Sequence, residues 1–489
     1  MLCLFAASVV ASSSTLIQGG ILYDGSGAKP RLADIRVQGD RIVAVGVLTP
    51  RKGETIVRAR RLVVAPGFID AHSHADEGIR QHPDAESQVR QGITTAVVGQ
   101  DGGWSKPVRN QVRGIMQAKP SINFAIFSGH AGIRERVMGK GFERVAKQDE
   151  ILRMATLVED DMKAGALGLS TGLEYNPGYF ASTVELVALA RVASRHGGMY
   201  ISHVRDETNG VFDSFAEVAD IARKARLPAQ ISHIKMAVSR LWGKAGDGLD
   251  FIDRASGAGL EVNADVYPYL FWQSTIRVLT NSRDWGDRKV WEDGLRDVGG
   301  GSNVRLTRFT PDPTWEGRTL AQISDMTGKD AVSLIMEIID RTKDGKGSES
   351  IVCTSMTERD LQAFIRHPKV MFCSDGSIGG SHPRGAGAFP RILGRYVRDL
   401  KVLSLQEAIR KMTSLPARRF KLGNRGLIKK GMTADIVVFD PKTIRDTATP
   451  ARPTSLAVGV VDVFVNGRRV LKRGKMTGER GGHVIRRGT

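Results

Sequence analysis

Cysteine is nearly absent: Cys3, Cys353 and Cys373 are the only three in 489 residues. They show neither the pairing of a disulfide framework nor the spacing of a cysteine zinc site, so any metal must be held by other side chains. Long apolar runs are also lacking, and nothing approaches the ~20 residues that span a bilayer as a helix. The basic residues stand singly or in pairs, such as Arg60 with Arg61, Lys429 with Lys430 and Arg486 with Arg487, with no aromatic residues interleaved. No nucleic-acid module is recognisable, so the excess of 71 Lys and Arg over 52 Asp and Glu reads as steering small anions. A hydrophobic fraction of 41% with 25% charged residues excludes a disordered chain and a membrane bundle.

The opening MLCLFAASVVASSS, residues 1–14, is apolar and ends in small residues, with Val9 and Ala11 where a signal peptidase would need them. It has no basic start. It reads either as a signal peptide, which would place the protein in the periplasm or outside the cell, or as a tail on a cytoplasmic protein.

From residue 15 to 63, short strand-like runs alternate with turn glycines (TLIQGGILYDGSG, ADIRVQGDRIVAVG, ETIVRARRLVVAPG). The texture returns over 423–489 in TADIVVFDP and VVDVFVNGRRVLKRGKM, so both termini are expected to build one small β-sandwich domain. Between them, over 64–422, β-rich runs alternate with helical patterns, as in a parallel α/β barrel. Eight candidate strands are FIDAHSH, TTAVVGQ, NFAIFSGH, LGLSTGL, GMYISHV, AQISHIK, EVNADVY and VMFCSD, the number of a (β/α)8 TIM barrel. Ser182 with Glu185 and Ser404 with Glu407 have the spacing of capping boxes at helix starts. About residues 275–350 the rhythm breaks, which predicts an insertion after the seventh strand that serves as a lid or recognition element.

Polar residues able to bind metal recur at the strand ends: His72, His74, Asp101, His130, Glu174, His203, His233 and Asp375. A barrel gathers those ends around one mouth. His72 and His74 are two apart, so on a strand their side chains share a face and converge on one ion. His203 in YISHVRDE and His233 in QISHIK each close a β-branched run, the pattern of one imidazole ligand per strand. Asp375 in FCSDGS stands where a carboxylate accepts a proton from water and delivers it to a leaving amine.

The set PGFIDAHSHAD, GITTAVVG, GALGLSTGLEYNPGYF, SHVRDE, SHIK, ADVYPY and SDG followed by HPR resembles the D-aminoacylase (N-acyl-D-amino-acid deacylase) branch of the amidohydrolase superfamily, over almost the whole chain. The HxH pair marks the superfamily, while GLSTGLEY and SHIK favour the branch. The resemblance implies a distorted (β/α)8 barrel with a small β domain, one or two Zn2+ ions and attack by a metal-bound hydroxide on the amide of an N-acyl-D-amino acid. It implies that His203 and His233 hold the tighter zinc, His72 and His74 a second position, and that Asp375 is the general acid and base. It further implies that Lys235, Tyr267 and Arg384 recognise a substrate carboxylate. His130 is read as polarising the carbonyl or as supporting the ligands from behind.

One position departs from the family. A cysteine ligand is usual after the second strand, whereas this chain reads Gln100, Asp101, Gly102. Asp101 is therefore expected to ligate in its place, with Glu174 as the alternative, and a site richer in oxygen admits Mn2+ or Co2+ beside Zn2+. A cyclic-amide hydrolase of the hydantoinase or dihydroorotase kind, a dipeptidase and a non-catalytic binding protein remain open on the same scaffold, as does the oligomeric state.

Overall fold

Runs such as ITTAVV, Ile93–Val98, are buried at every position, as expected of a parallel strand covered on both faces. The computed structural model, which describes residues 14–103 and 105–488, arranges these runs into a barrel flanked by a separate sheet. The signal-like stretch, apart from Ser14, lies outside the described residues. Among the described residues no helix is long and apolar enough to cross a membrane.

The chain begins in the small domain with β1 (Thr15–Leu22), β2 (Arg31–Gln38), β3 (Arg41–Gly46), β4 (Thr55–Arg58) and β5 (Val63–Pro66). It then enters the barrel: β6 (Phe68–Asp70), β7 (Ile93–Val98), β8 (Asn123–Ile126) continued by β9 (Ser128–Gly129), β10 (Gly168–Gly172), β11 (Met199–His203), β12 (Ala229–Ile231) and β13 (Val262–Val266). Each pairs in parallel with the next along β6–β7–β8 and β9–β10–β11–β12–β13. The Leu167 amide donates to the Ile126 carbonyl, linking the two sheets.

After β13 the chain leaves the barrel for an excursion built on β14 (Phe271–Ser274), β15 (Val304–Phe309) and β16 (Glu349–Thr354), an antiparallel sheet with β16 in the middle. This body begins a few residues before the break in rhythm at 275–350 and ends a few after it. It has its own core, in which Trp291, Ile276, Leu306, Phe309 and Ile335 are fully buried. The barrel resumes with β17 (Val370–Phe372), parallel to β13, and closes where the Ala71 amide donates to the Phe372 carbonyl and the Asp375 amide to the His72 carbonyl, at 2.8 Å. Closure thus brings His72 and Asp375 together through their backbones.

The remaining strands, β18 (Ile436–Phe439), β19 (Val460–Val465), β20 (Arg468–Lys472) and β21 (Lys475–Met476), return to the small domain. There β18 pairs antiparallel with β5, uniting both termini in one nine-stranded mixed sheet. Ile17, Ile35, Ile42, Val64, Ile436 and Val438 form its core.

The helix starts follow local chemistry. Ser182 accepts from the Glu185 amide and Ser404 from the Glu407 amide, each opening a helix. Only half of each box forms: the Glu185 carboxylate turns away to His130 and Arg134, and that of Glu407 to Arg410.

Candidate metal centre and its pocket

At the C-terminal mouth of the barrel, His72 and His74 follow β6, Asp101 follows β7, His203 ends β11, His233 follows β12 and Asp375 follows β17. Their polar atoms converge. His72 Nε2 lies 3.4 Å from Asp101 Oδ2 and 3.5 Å from Asp375 Oδ1; His74 Nε2 lies 3.3 Å from each of the same two oxygens. The other oxygen of Asp101, Oδ1, is 3.7 Å from His233 Nε2. Asp101 therefore offers one oxygen to the HxH pair and the other toward the second histidine group. One donor atom from each of His72, Asp101, His233 and Asp375 lies within 4.8 Å of the others, and the same holds for His203, Glu207 and His233.

Backbone strain accompanies this convergence. Asp101, His233 and Asp375 all have positive φ, at 53°, 33° and 50°. Aspartate tolerates this region better than most residues, whereas for His233 it is a cost that the surrounding fold must sustain. Three contacts fix the strand ends: the Gly102 amide donates to Ser170 Oγ, the His233 amide to Asp265 Oδ1 and the Ser374 amide to Asp70 Oδ1.

Around the centre is a pocket of about 280 Å3, lined by Glu174, Glu207, Lys235, Tyr267 and Arg384 together with His74, Asp101, His203, His233 and Asp375, while His72 lies buried behind it. Glu174 Oε2 meets His203 Nε2 at 2.8 Å, outside both groups of converging donors. Lys235 donates to Glu207 Oε1 at 2.6 Å, to His233 Nδ1 at 2.9 Å and to the His233 carbonyl at 3.2 Å, which fully engages its ammonium. Arg384 Nη1 pairs with Asp375 Oδ2 at 2.6 Å, the guanidinium sits over the Tyr267 ring and its Nε has no partner. The buried Tyr267 hydroxyl is also unpaired.

His130 belongs elsewhere. It is fully buried, with Nε2 2.7 Å from Glu185 Oε1 in a network shared with Arg134, and it does not line the pocket.

Glu207 escaped the sequence reading. It lies four residues after His203 in SHVRDE, yet nothing in the sequence distinguishes it from the neighbouring Asp206, which instead accepts hydrogen bonds from the Thr208 and Gly210 amides.

The electrostatics favour fixed charges. Burial opposes ionisation of Asp375, but Arg384 first, then His233, His74 and His72, hold its carboxyl well below the usual range. Burial also opposes ionisation of Asp101, and the His72, His233 and His74 rings outweigh it. The Lys235 ammonium survives burial because Glu207 raises its pKa. Burial pushes the Tyr267 phenol up to about 12, leaving it a proton donor at neutral pH.

These residues fit a divalent metal. Five carboxylates line the pocket, Asp101, Glu174, Glu207, Asp297 and Asp375, against two permanent cations, Lys235 and Arg384. Both ring nitrogens of fully buried His72, and Asp101 Oδ1, make no hydrogen bond. Buried polar atoms left so are costly, and this imidazole and carboxylate set is one that zinc and its neighbours accept.

Known proteins resemble this chain in sequence and fold. The amidohydrolase family model matches residues 56–287 and 292–471. The D-aminoacylase of Alcaligenes xylosoxydans xylosoxydans is 34% identical, over 96% of this chain and 97% of its own. The N-acyl-D-glutamate deacylase of the same organism is also 34% identical, over 96% of each chain. The crystal structure of N-acyl-D-glutamate deacylase from Bordetella bronchiseptica, complexed with zinc and a phosphonate inhibitor that mimics the tetrahedral intermediate, matches with a TM-score of 0.87 and 33% identity, covering 96% of this chain and 99% of that one.

Proposed function

Since this chain belongs to the amidohydrolase family, in its D-aminoacylase (N-acyl-D-amino-acid deacylase) branch, we propose that it hydrolyses N-acyl-D-amino acids to a carboxylate and a free D-amino acid. The observation that carries this reading is the joining of two side-chain sets in one pocket: the converging histidines and aspartates, and a partly free Arg384 beside the unpaired Tyr267 hydroxyl.

His72, His74 and Asp375 would hold one metal position and His203 and His233 the other, with Asp101 a ligand beside both, for one or two Zn2+ ions. When bound, the metal supplies Lewis acidity toward the amide carbonyl and lowers the pKa of water. Asp375 is ionised and accepts a proton from the water that adds to the carbonyl carbon. It passes that proton to the nitrogen as the C–N bond breaks, so one water is consumed and Asp375 returns to its starting state. Arg384 uses its free donors on the substrate's α-carboxylate, and the Tyr267 hydroxyl donates beside it. Lys235, already saturated by Glu207 and His233, acts through its charge and by holding those two groups in place.

A hydrolysis screen of metal-replete protein against N-acetyl-D-amino acids, hydantoins and dipeptides tests this reading. Turnover of the N-acetyl-D-amino acids is expected, and ring opening of hydantoins without it would overturn the proposal. Arg384→Ala is expected to raise KM for the acid about 10- to 100-fold, the loss of a charge-assisted contact, with a smaller effect on the matching neutral amide. Equal losses on both substrates would show that Arg384 acts only through Asp375.

A further inference from the structure

The excursion between β13 and β17 forms one wall of the pocket, mostly apolar and without a basic residue. Trp272, Val278, Leu279 and Val298 line it beside the neutral polar Gln273 and Ser274, joined by Ala237 from the barrel side. Its one charged residue is Asp297, at the end of the helix Arg288–Asp297. Among the described residues the Asp297 carboxylate accepts one hydrogen bond, from the Asn209 side-chain amide at 2.8 Å, and the oxygen of that amide is held in turn by Arg240.

The nearby arginines of the excursion are turned elsewhere. Arg277 donates to Glu349, Arg283 to the Glu174 carbonyl while lying over the Tyr179 ring, and Arg296 to Asp293. The pocket's own cations, Lys235 and Arg384, are paired with Glu207 and Asp375. A second carboxylate on the substrate would therefore leave water without gaining a further cation from the pocket lining, and would face Asp297.

We propose that the excursion selects a singly charged substrate, an N-acyl-D-amino acid whose side chain is uncharged and apolar, with Asp297 excluding acidic side chains. This rests on the deacylase reading above and narrows it. It also separates this chain's preference from that named for its acidic-substrate relative.

The test compares kcat/KM for N-acetyl-D-leucine, N-acetyl-D-methionine, N-acetyl-D-glutamate and N-acetyl-D-aspartate on metal-replete protein. The apolar pair is expected to exceed the acidic pair by about a hundredfold or more. Asp297→Lys is expected to raise the glutamate-to-leucine ratio at least about tenfold, because it replaces the opposing charge with a matching one. The ratio is read within one protein, so partial loss of folded material does not affect it. Equal or better turnover of the acidic pair would overturn the selection while leaving the deacylase reading intact. An unchanged ratio in Asp297→Lys would remove Asp297 from it. Failure to hydrolyse any of the four, with metal bound, would overturn both.

Discussion

Asp375→Asn is expected to lower kcat/KM by about 10^3-fold, within the range that a positioned general acid and base contributes. The substitution keeps the shape and an oxygen donor but removes the group that cycles the proton between water and amine. KM should change less than kcat, because the substrate contacts lie on Arg384 and Tyr267. Arg384 loses its charged partner at 2.6 Å, so some tightening toward the substrate carboxylate accompanies the lost rate. A variant that kept a tenth or more of the activity would remove Asp375 from proton transfer.

The second large effect concerns Asp101, where the chain departs from the family's usual cysteine. One of its oxygens faces His72 and His74 and the other faces His233, so its loss touches both metal positions together. Asp101→Ala is expected to lower metal content at both positions and to reduce turnover by about 10^2-fold or more, at or beyond the upper end of what losing a group that merely orients a ligand costs. Asp101→Cys is expected to retain zinc and to lose preference for harder ions such as manganese, because a thiolate is softer than a carboxylate. Glu174→Ala supplies the contrast. Its carboxylate rests on His203 Nε2, outside the converging donors, so metal stoichiometry should change less. Metal analysis of the three purified proteins checks this ordering, and full stoichiometry in Asp101→Ala would contradict it.

Much of the barrel was legible because its parallel strands are buried on both faces and so form nearly continuous apolar runs that end in a polar residue. Each of the eight candidate runs contains a strand, and His203 stands at the end of β11 as its β-branched run implied. The two-residue spacing of His72 and His74 pointed to their convergence, although both lie just past β6, which ends at Asp70, and not on the strand itself. The partners of carboxylates did not. Glu185 has the spacing of a capping box, but tertiary contacts with His130 and Arg134 compete for its side chain, and the sequence carries no sign of which wins. His130 misleads for the same reason: it follows its strand as the metal-facing histidines do, yet it is directed into that buried network. Glu207 shows the converse, a pocket carboxylate placed by its contact with Lys235, 28 residues away in sequence and 2.6 Å away in space. The insertion was visible as a loss of rhythm, but the largely apolar wall it presents depends on which of its side chains turn inward.

The central claim, that this amidohydrolase cleaves the acyl group from D-configured amino acids, is tested most directly by measuring kcat/KM for the two enantiomers of N-acetyl-leucine with the same metal-replete preparation. Hydrolysis of the D enantiomer is expected to be at least about a hundredfold faster than that of the L, since the carboxylate anchor and the largely apolar wall accept the side chain in one arrangement. Loss of that activity on chelation and its return with zinc should accompany it. Equal turnover of the two enantiomers, a preference for the L form, or full activity in metal-free protein would contradict it.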